Sequence, residues 1–303
     1  MVLAVAGLTK RYGRLTAVDA ISFEVHKGET FGILGPNGAG KTTTLEMIEG
    51  LRNPDGGRIT FLGMDAVKER RRVQEKTGVQ LQSQALWPEL TVEETLKLFG
   101  ALFHHRVDIG TLLDRFSLTD KRRALVQGLS GGQKQRLSIA TALVNDPEVV
   151  FLDEPTTGLD PQARHSFWDL IRDMKREGKT VIVTTHYMEE AEALCDRVAI
   201  MDHGRIIALD APRALVRSLA SESTIEFGFP ETAEREELAG LPGVRDMRKE
   251  NGSVLLFTND VSATLNALIR FADQKGQHIS SLNVRTATLE DVFISLTGRR
   301  LRD

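Results

Sequence analysis

The stretch GILGPNGAGKTTT, residues 32–44, combines glycines, one lysine and hydroxyl side chains at a spacing suited to phosphate chemistry. Gly35, four further residues, and then Gly40, Lys41 and Thr42 match the P-loop pattern. Glycines let backbone N–H groups approach phosphate, Lys41 supplies a counter-charge, and the Thr42 hydroxyl can bind Mg²⁺. The apolar strand predicted before the loop and the helix predicted after it disfavour a plain glycine-rich turn. The pattern alone leaves open a kinase, a GTPase or a motor.

A second group of chemically capable residues follows the apolar run VVFLDEP. The run predicts a buried strand that carries Asp153 and Glu154 to its C-terminal end, where ligands of open α/β sheets bind. Asp153 can belong to a Mg²⁺ shell, and Glu154 can polarise a water that attacks a γ-phosphate. Taken alone, such a pair is often a helix cap or a solvated turn. A P-loop in the same chain favours the catalytic interpretation.

A third feature is the segment LSGGQKQRLSIATALV, residues 129–144. Ser130, Gly131 and Gly132 open a predicted helix with bare N–H groups and a hydroxyl, which is typical of a second phosphate site. A capping serine followed by flexible glycines explains these residues equally well.

The elements that must position these residues alternate between strand-like and helix-like patterns over residues 1 to about 215. Apolar β-rich runs at residues 30–34, 149–152, 181–184 and 198–201 predict an α/β domain around a largely buried sheet. The segments LAVAGLTKRYG, AVDAISFEV and GRITFLG predict a small antiparallel β subdomain beside it. Helical spacing within residues 83–123 predicts a helical insertion.

The pattern restarts after the small and polar stretch DAPRALVRSLASES. Residues 221–303 are predicted to form a compact α+β accessory domain, and residues 1–220 the nucleotide-binding domain. Its elements run in the order βαββαβ, with a hairpin turning at Asn251 and Gly252, which suggests a ferredoxin-like sheet.

Composition narrows the classes of protein. The formal net charge is −3, and neither half of the chain has the basic excess that nucleic-acid binding usually needs. No apolar run approaches the roughly 18 residues of a membrane span, and the N-terminus turns polar too early for a signal peptide, so we expect a cytosolic chain. The single cysteine, Cys195, excludes an intramolecular disulfide and is expected to be a buried, inert thiol.

The set GPNGAGKTT, Gln82, LSGGQ, VVFLDE, GLD and His186, in this order across residues 1–220, resembles the ATP-binding cassette (ABC) ATPases. The resemblance implies that two cassettes face head to tail, with ATP and Mg²⁺ held between the P-loop of one and the LSGGQ segment of the other. The second phosphate site is thereby explained.

The resemblance also implies a role for each matching residue. Glu154, His186 and Gln82 would be catalytic, and Thr42, Gln82 and Asp153 would bind Mg²⁺. The implied nucleotide-binding residues are Tyr12, Gly35, Asn37, Gly38, Gly40, Lys41, Thr42 and Thr43 on one cassette, and Ser130, Gly131, Gly132, Gln133 and Asp160 on the other.

Within this set, Tyr12 would stack on adenine, although a surface-core aromatic is an alternative. Gln82 competes with Gln80 and Gln84 for the same role. Asp160 would communicate across the dimer, and His186 would contact the γ-phosphate.

The C-terminal segment TATLEDVFISLTGR resembles the ending of ATPase subunits of ABC-2 type exporters, the group with daunorubicin-resistance-like drug efflux ATP-binding proteins. Packing of this amphipathic helix on its own domain is the plainer interpretation. The resemblance implies an ATP-hydrolysing subunit, peripheral on the cytoplasmic face of the membrane, that drives a separate transmembrane permease through ATP-dependent dimerisation. Alternatives are a soluble ABC ATPase of translation or DNA maintenance, and a nucleotide-binding regulator without turnover. Residues 85–103, Leu86 and Trp87 above all, are the predicted permease contact.

Overall fold

The computed structural model describes residues 1–80, 86–219, 223–228, 235–250 and 253–298. The chain divides into two compact units, Met1–Ala211 and a second unit that begins at Pro212. The boundary therefore lies at Ala211 and Pro212 rather than between residues 220 and 221. The difference arises because helix α8 (Pro212–Arg217) contacts helix α11 (Leu289–Thr297) of the second unit.

The first unit is built on a largely parallel sheet, as expected for an α/β fold. Its strands among the described residues are β3 (Thr30–Leu34), β6 (Thr77–Gln80), β7 (Val149–Asp153), β8 (Thr180–Thr185), β9 (Arg197–Asp202) and β10 (Arg205–Asp210). They lie in the order β10-β9-β3-β8-β7-β6, and β10 alone of these runs antiparallel to its neighbour. Every residue of β3, β7 and β8 is buried, which explains their continuous apolar sequences.

Helices connect these strands. They are α1 (Lys41–Ile48), α2 (Arg70–Gln74), α3 (Val92–Gly100), α4 (Ile109–Arg115), α5 (Gly131–Ala142), α6 (Pro161–Arg176) and α7 (Met188–Leu194), with 3-10 turns at Thr119–Lys121 and Val126–Gly128. Helices α3 and α4 lie in the predicted helical insertion between β6 and β7.

The predicted antiparallel β subdomain is present in the first unit. Its strands are β1 (Leu3–Tyr12), β2 (Leu15–Val25), β4 (Gly56–Phe61) and β5 (Met64–Asp65), in the order β2-β1-β4-β5. Phe23 of β2 stacks on Phe31 of β3 with ring centroids 5.3 Å apart. This contact joins the two sheets through one hydrophobic core.

The second unit has the predicted βαββαβ order. After α8 come β11 (Ser223–Gly228), α9 (Arg235–Ala239), β12 (Val244–Glu250), β13 (Ser253–Thr258), α10 (Val261–Lys275), β14 (Ser280–Thr286) and α11. The antiparallel sheet has the order β12-β13-β11-β14, with Ile225, Phe227 and Leu256 in its core, which confirms the ferredoxin-like fold. The predicted turn at Asn251 and Gly252 lies outside the described residues.

Across the parts of the chain that the structure describes, no helix is both long and apolar enough to cross a membrane. Cys195 is buried, as expected, and burial raises the pKa of its thiol.

Candidate nucleotide site

The P-loop connects the end of β3 to the start of α1. Lys41 is the first residue of that helix, and its Nζ donates to the carbonyl oxygens of Gly35 at 2.9 Å and Pro36 at 3.2 Å. Gly40 has φ 102°, and a Cβ there would lie 2.4 Å from the Ala17 carbonyl oxygen, so only glycine fits. The loop is therefore folded back on its own lysine, with Asn37 at its exposed tip.

Asp153 and Glu154 stand at the carboxyl end of β7, as predicted. Asp153 is paired in register with Thr184 of the neighbouring strand, and the Thr184 hydroxyl donates to its Oδ1. The Thr42 hydroxyl lies 3.4 Å from the same Oδ1. Asp153 is 3% exposed and Glu154 is 8% exposed, so the alternative of a solvated turn is wrong.

Glu154 makes short polar contacts with two other predicted residues. Its Oε1 lies 3.1 Å from Lys41 Nζ, and its Oε2 lies 3.2 Å from His186 Nδ1. The Thr157 hydroxyl lies 3.4 Å from Oε2. The Glu154 backbone is in the left-handed region, with φ 47°, and its N–H donates to Thr184 Oγ1 at 3.0 Å. Such strained backbone is found at functional sites.

The two neighbouring carboxyls differ in their electrostatics. Contact with the His186 ring, followed by the Lys41 ammonium, lowers the pKa of Glu154 to about 2. Burial raises the pKa of Asp153 above its ordinary value, although the Thr184 and Thr42 hydroxyls oppose this shift. The His186 contact and the Lys41 ammonium thus favour the ionised form of Glu154, whereas burial disfavours the ionised form of Asp153.

The LSGGQ segment forms the start of α5 and carries a reciprocal cap. Ser130 Oγ accepts from the Gln133 backbone N–H at 3.3 Å, and Gln133 Oε1 accepts from the Ser130 N–H at 3.0 Å. The expectation of bare N–H groups is therefore wrong for Ser130, whose N–H donates to Gln133 within the capping box. Gly131 and Gly132 have open space where a Cβ would stand, so their side of the helix start is accessible.

The remaining predicted residues are less closely joined to this cluster. Tyr12, at the end of β1, is 41% exposed and carries the Arg52 guanidinium 5.4 Å from its ring centroid. Asp160 caps α6, where its Oδ1 accepts from the Ala163 N–H at 2.8 Å. Thr43 is half-buried in the first turn of α1. Gln82 lies outside the described residues, as does its competitor Gln84.

Two residues near the site were not singled out from the sequence. Thr184 holds Asp153 and the Glu154 backbone together, and its place at the end of a buried parallel strand beside Asp153 could have indicated it. Glu49 is 3% exposed at the end of α1, and burial, followed by the charges of Asp153 and Glu46, raises its pKa to about 8. No sequence pattern marks Glu49.

A P-loop lysine, an acidic pair and a histidine meet at the carboxyl edge of one parallel sheet, and this arrangement defines a P-loop ATPase. Residues 18–157 match the family model described as ABC transporter. Residues 214–297 match the model described as ATP-binding protein DrrA1-3-like, C-terminal domain.

Relatives match nearly the whole chain. The Nod factor export ATP-binding protein I of Paraburkholderia xenovorans strain LB400 is 44% identical over 300 residues, covering 97% of this chain and 96% of that protein. The protein of the same name from Rhizobium etli strain CFN 42 is 40% identical over 299 residues, covering 97% of this chain and 92% of that protein.

Solved structures match about 70% of the chain. CbiO1 of Clostridium perfringens, part of the ABC transporter complex cbiONQ, has a TM-score of 0.65 and 30% identity, covering 72% of this chain and 91% of that one. The dimeric structure of MJ0796, a bacterial ABC transporter cassette, has a TM-score of 0.63 and 26% identity, covering 69% of this chain and 98% of that one. The chain belongs to the ABC transporter ATP-binding family.

Proposed function

We propose that this chain is the ATP-hydrolysing subunit of an exporter and that two cassettes and a separate permease form the working assembly. The observation that carries the proposal is the convergence of Lys41, Asp153, Glu154 and His186 at one sheet edge. Relatives of nearly full length are named export ATP-binding proteins, which supports export over a role in translation or DNA maintenance.

Phosphate binding is assigned to the P-loop and its lysine. Lys41 is held by loop carbonyls and by Glu154, and a phosphate group arriving at the N-terminus of α1 offers it a partner of higher negative charge. As Lys41 turns to phosphate, Glu154 loses its ammonium neighbour and keeps its contact with His186. We assign Glu154 to orient and polarise the attacking water, and His186 to hold Glu154 and contact the γ-phosphate.

The residues present fit Mg²⁺. Thr42 and Asp153 offer hard oxygen ligands 3.4 Å apart, which suits a small divalent cation bound together with phosphate oxygens. The raised pKa of Asp153 is consistent with a carboxylate that gains from a cationic partner. We assign Thr42 and Asp153, with Gln82, to this ion, which would neutralise charge on the phosphates.

The second cassette is proposed to be another copy of this family. The accessible start of α5 at Gly131 and Gly132, and Asp160 at the cap of α6, are the residues we assign to the partner's nucleotide. The dimeric MJ0796 cassette supports such pairing, since the match covers 98% of that cassette. Tyr12 is assigned to adenine stacking because its ring is partly exposed.

The permease contact is proposed to lie around the start of the helical insertion. Trp87 is 52% exposed, and its ring centroid lies 6.2 Å from that of Phe99 on α3. A surface cavity of about 570 Å³ lies beside Phe99 and Leu102, and Leu102 is 70% exposed. Exposed aromatic and aliphatic side chains around a cavity are typical of a protein contact. A chain in this role would sit peripherally on the cytoplasmic face of the membrane.

Phosphate release from ATP by the full chain, with Mg²⁺ present, tests the proposed function. The wild type is expected to hydrolyse ATP, and Lys41→Ala is expected to lose binding or turnover because the phosphate counter-charge is gone. Lys68→Ala removes a lysine whose side chain is 82% exposed and serves as the matched control. Normal hydrolysis by Lys41→Ala would overturn the assignment, and loss in both variants would show a nonspecific effect.

A further inference from the structure

A stack of three side chains connects α6 to Glu154. The guanidinium of Arg164, in the first turns of α6, lies 4.4 Å from the Tyr187 ring centroid. The Tyr187 ring centroid lies 4.1 Å from that of His186, and His186 Nδ1 lies 3.2 Å from Glu154 Oε2. Each contact is short enough for direct interaction, so His186 is connected through Tyr187 to the Arg164 guanidinium. Arg164 lies four residues after Asp160, the cap of α6.

A hydrogen bond between α6 and α7 supports this stack. Trp168, one turn after Arg164 on α6, donates through Nε1 to Glu190 Oε1 at 3.3 Å. Glu190, in the first turn of α7, is fully buried, and Trp168 is 7% exposed. A buried carboxylate costs free energy unless it is hydrogen-bonded, so this bond fixes the start of α7 against α6.

The other contacts of Tyr187 and Arg164 leave the stack intact. Tyr187 is the residue before α7, and its N–H already donates to Thr185 Oγ1 at 2.9 Å, so its ring is not needed to begin the helix. Among the described residues, the Arg164 Nε is buried without a hydrogen-bond partner, and the Arg164 charge opposes the effect of burial on the pKa of the Glu190 carboxyl. The guanidinium therefore lies over the Tyr187 ring and also contributes charge to the carboxylate at the start of α7, so it belongs both to the stack and to its anchor.

We propose that Arg164 and Tyr187 are positioning residues for ATP hydrolysis, which hold His186 against Glu154, with Trp168 and Glu190 as their anchor. The inference rests on the proposed ATPase function and extends it to residues that touch neither Glu154 nor the P-loop in the contacts above. It also links α6, which begins at Asp160, to the histidine, so a displacement of α6 reaches His186 through packed side chains.

The kinetic test is a double-mutant cycle in the full chain. Arg164→Met and Tyr187→Leu are each expected to lower kcat about 5–30-fold, the factor for one or two ordinary interactions, with KM for ATP within about twofold. The double variant is expected to be no slower than the slower single variant, because both changes break the same stack. Tyr187→Phe keeps the ring and is expected to stay within about twofold of wild type.

Arg172→Met is the matched control for the arginine. Arg172 lies on the same helix, its side chain is 41% exposed, and it pairs with Asp169. It is expected to leave kcat and KM unchanged. Additive losses in the cycle, or wild-type kcat in Arg164→Met, would overturn the positioning role.

A spectroscopic arm separates this inference from the ATPase proposal. The ring ¹H–¹³C resonance of His186, assigned with His186→Gln, is expected to shift in Arg164→Met and to stay in place in Arg172→Met. If the wild type does not hydrolyse ATP, the ATPase proposal fails while this shift still decides the positioning. An unshifted resonance in Arg164→Met overturns the inference. If that variant does not fold, Arg164→Ala carries the same test.

Discussion

Lys41 Nζ lies 3.1 Å from Glu154 Oε1, and both side chains are buried. The lysine follows β3 and the glutamate follows β7, with β8 between these strands in the sheet. Removing one partner of a buried pair leaves the charge of the other uncompensated. The electrostatic environment of each side chain therefore depends on what the other one contacts. A phosphate that engages Lys41 therefore changes the electrostatics of the proposed catalytic carboxylate directly.

Glu49 predicts a specific dependence of stability on pH. Its pKa is raised from the ordinary value of 4.5 to about 8, so the folded chain binds one proton more than the unfolded chain between these values. Stability therefore falls as pH rises from about 4.5 through about 8. Glu49→Gln removes this dependence. Between pH 5 and pH 8, the free energy of unfolding of the wild type is expected to fall by roughly 2–4 kcal/mol more than that of the variant.

Urea unfolding at several pH values, without nucleotide or Mg²⁺, measures that difference. Glu89→Gln is the control, because Glu89 is exposed and its charge is not among the causes that raise the pKa of Glu49. Parallel pH profiles for wild type and Glu49→Gln would show that Glu49 is ionised in the folded chain.

A fragment of residues 1–211 is expected to bind ATP with nearly the affinity of the full chain. The described residues assigned to nucleotide all lie in the first unit, which ends at Ala211. A fragment of residues 1–220 also binds, but it retains α8 without α11 and exposes Leu215, which is 6% exposed in the full chain. Isothermal titration measures the ATP affinity of the two fragments, and light scattering measures their association in solution. A well-folded 1–211 fragment without nucleotide affinity would contradict the division of roles.

Changing Leu86 and Trp87 together to serine is expected to weaken copurification with the permease and uncouple transport. Trp87 is 52% exposed, so its loss should leave ATP hydrolysis by the isolated chain near wild type. Leu15→Ser, at a leucine that is 65% exposed in the antiparallel sheet, is the control. Unfolding with loss of hydrolysis would show that the pair belongs to the core, and unchanged complex formation would place the contact elsewhere.

The sequence predicted what depends on local pattern. Buried runs such as residues 149–152 marked the central strands, and the glycine spacing marked a loop whose conformation needs glycine at Gly40. Strand β6 was not singled out, because four residues of mixed polarity carry no clear period.

Contacts between distant residues could not be predicted in this way. The stack of Arg164 on Tyr187 and the bond from Trp168 to Glu190 arise from the packing of α6 on α7. No helical or strand periodicity in the sequence relates the residues that make these contacts. The raised pKa of Glu49 likewise follows from burial near Asp153, a residue more than a hundred positions away.

Glu154→Gln tests the central claim, hydrolysis in a site shared by two cassettes. The variant keeps the shape of the side chain and removes the proposed base, so hydrolysis is expected to fall roughly 10²–10⁴-fold while ATP still binds. ATP that is bound and not hydrolysed should hold two chains together. Size-exclusion chromatography with light scattering, in ATP and Mg²⁺, is expected to give twice the chain mass of 33.5 kDa. A monomer that binds ATP would contradict the shared site.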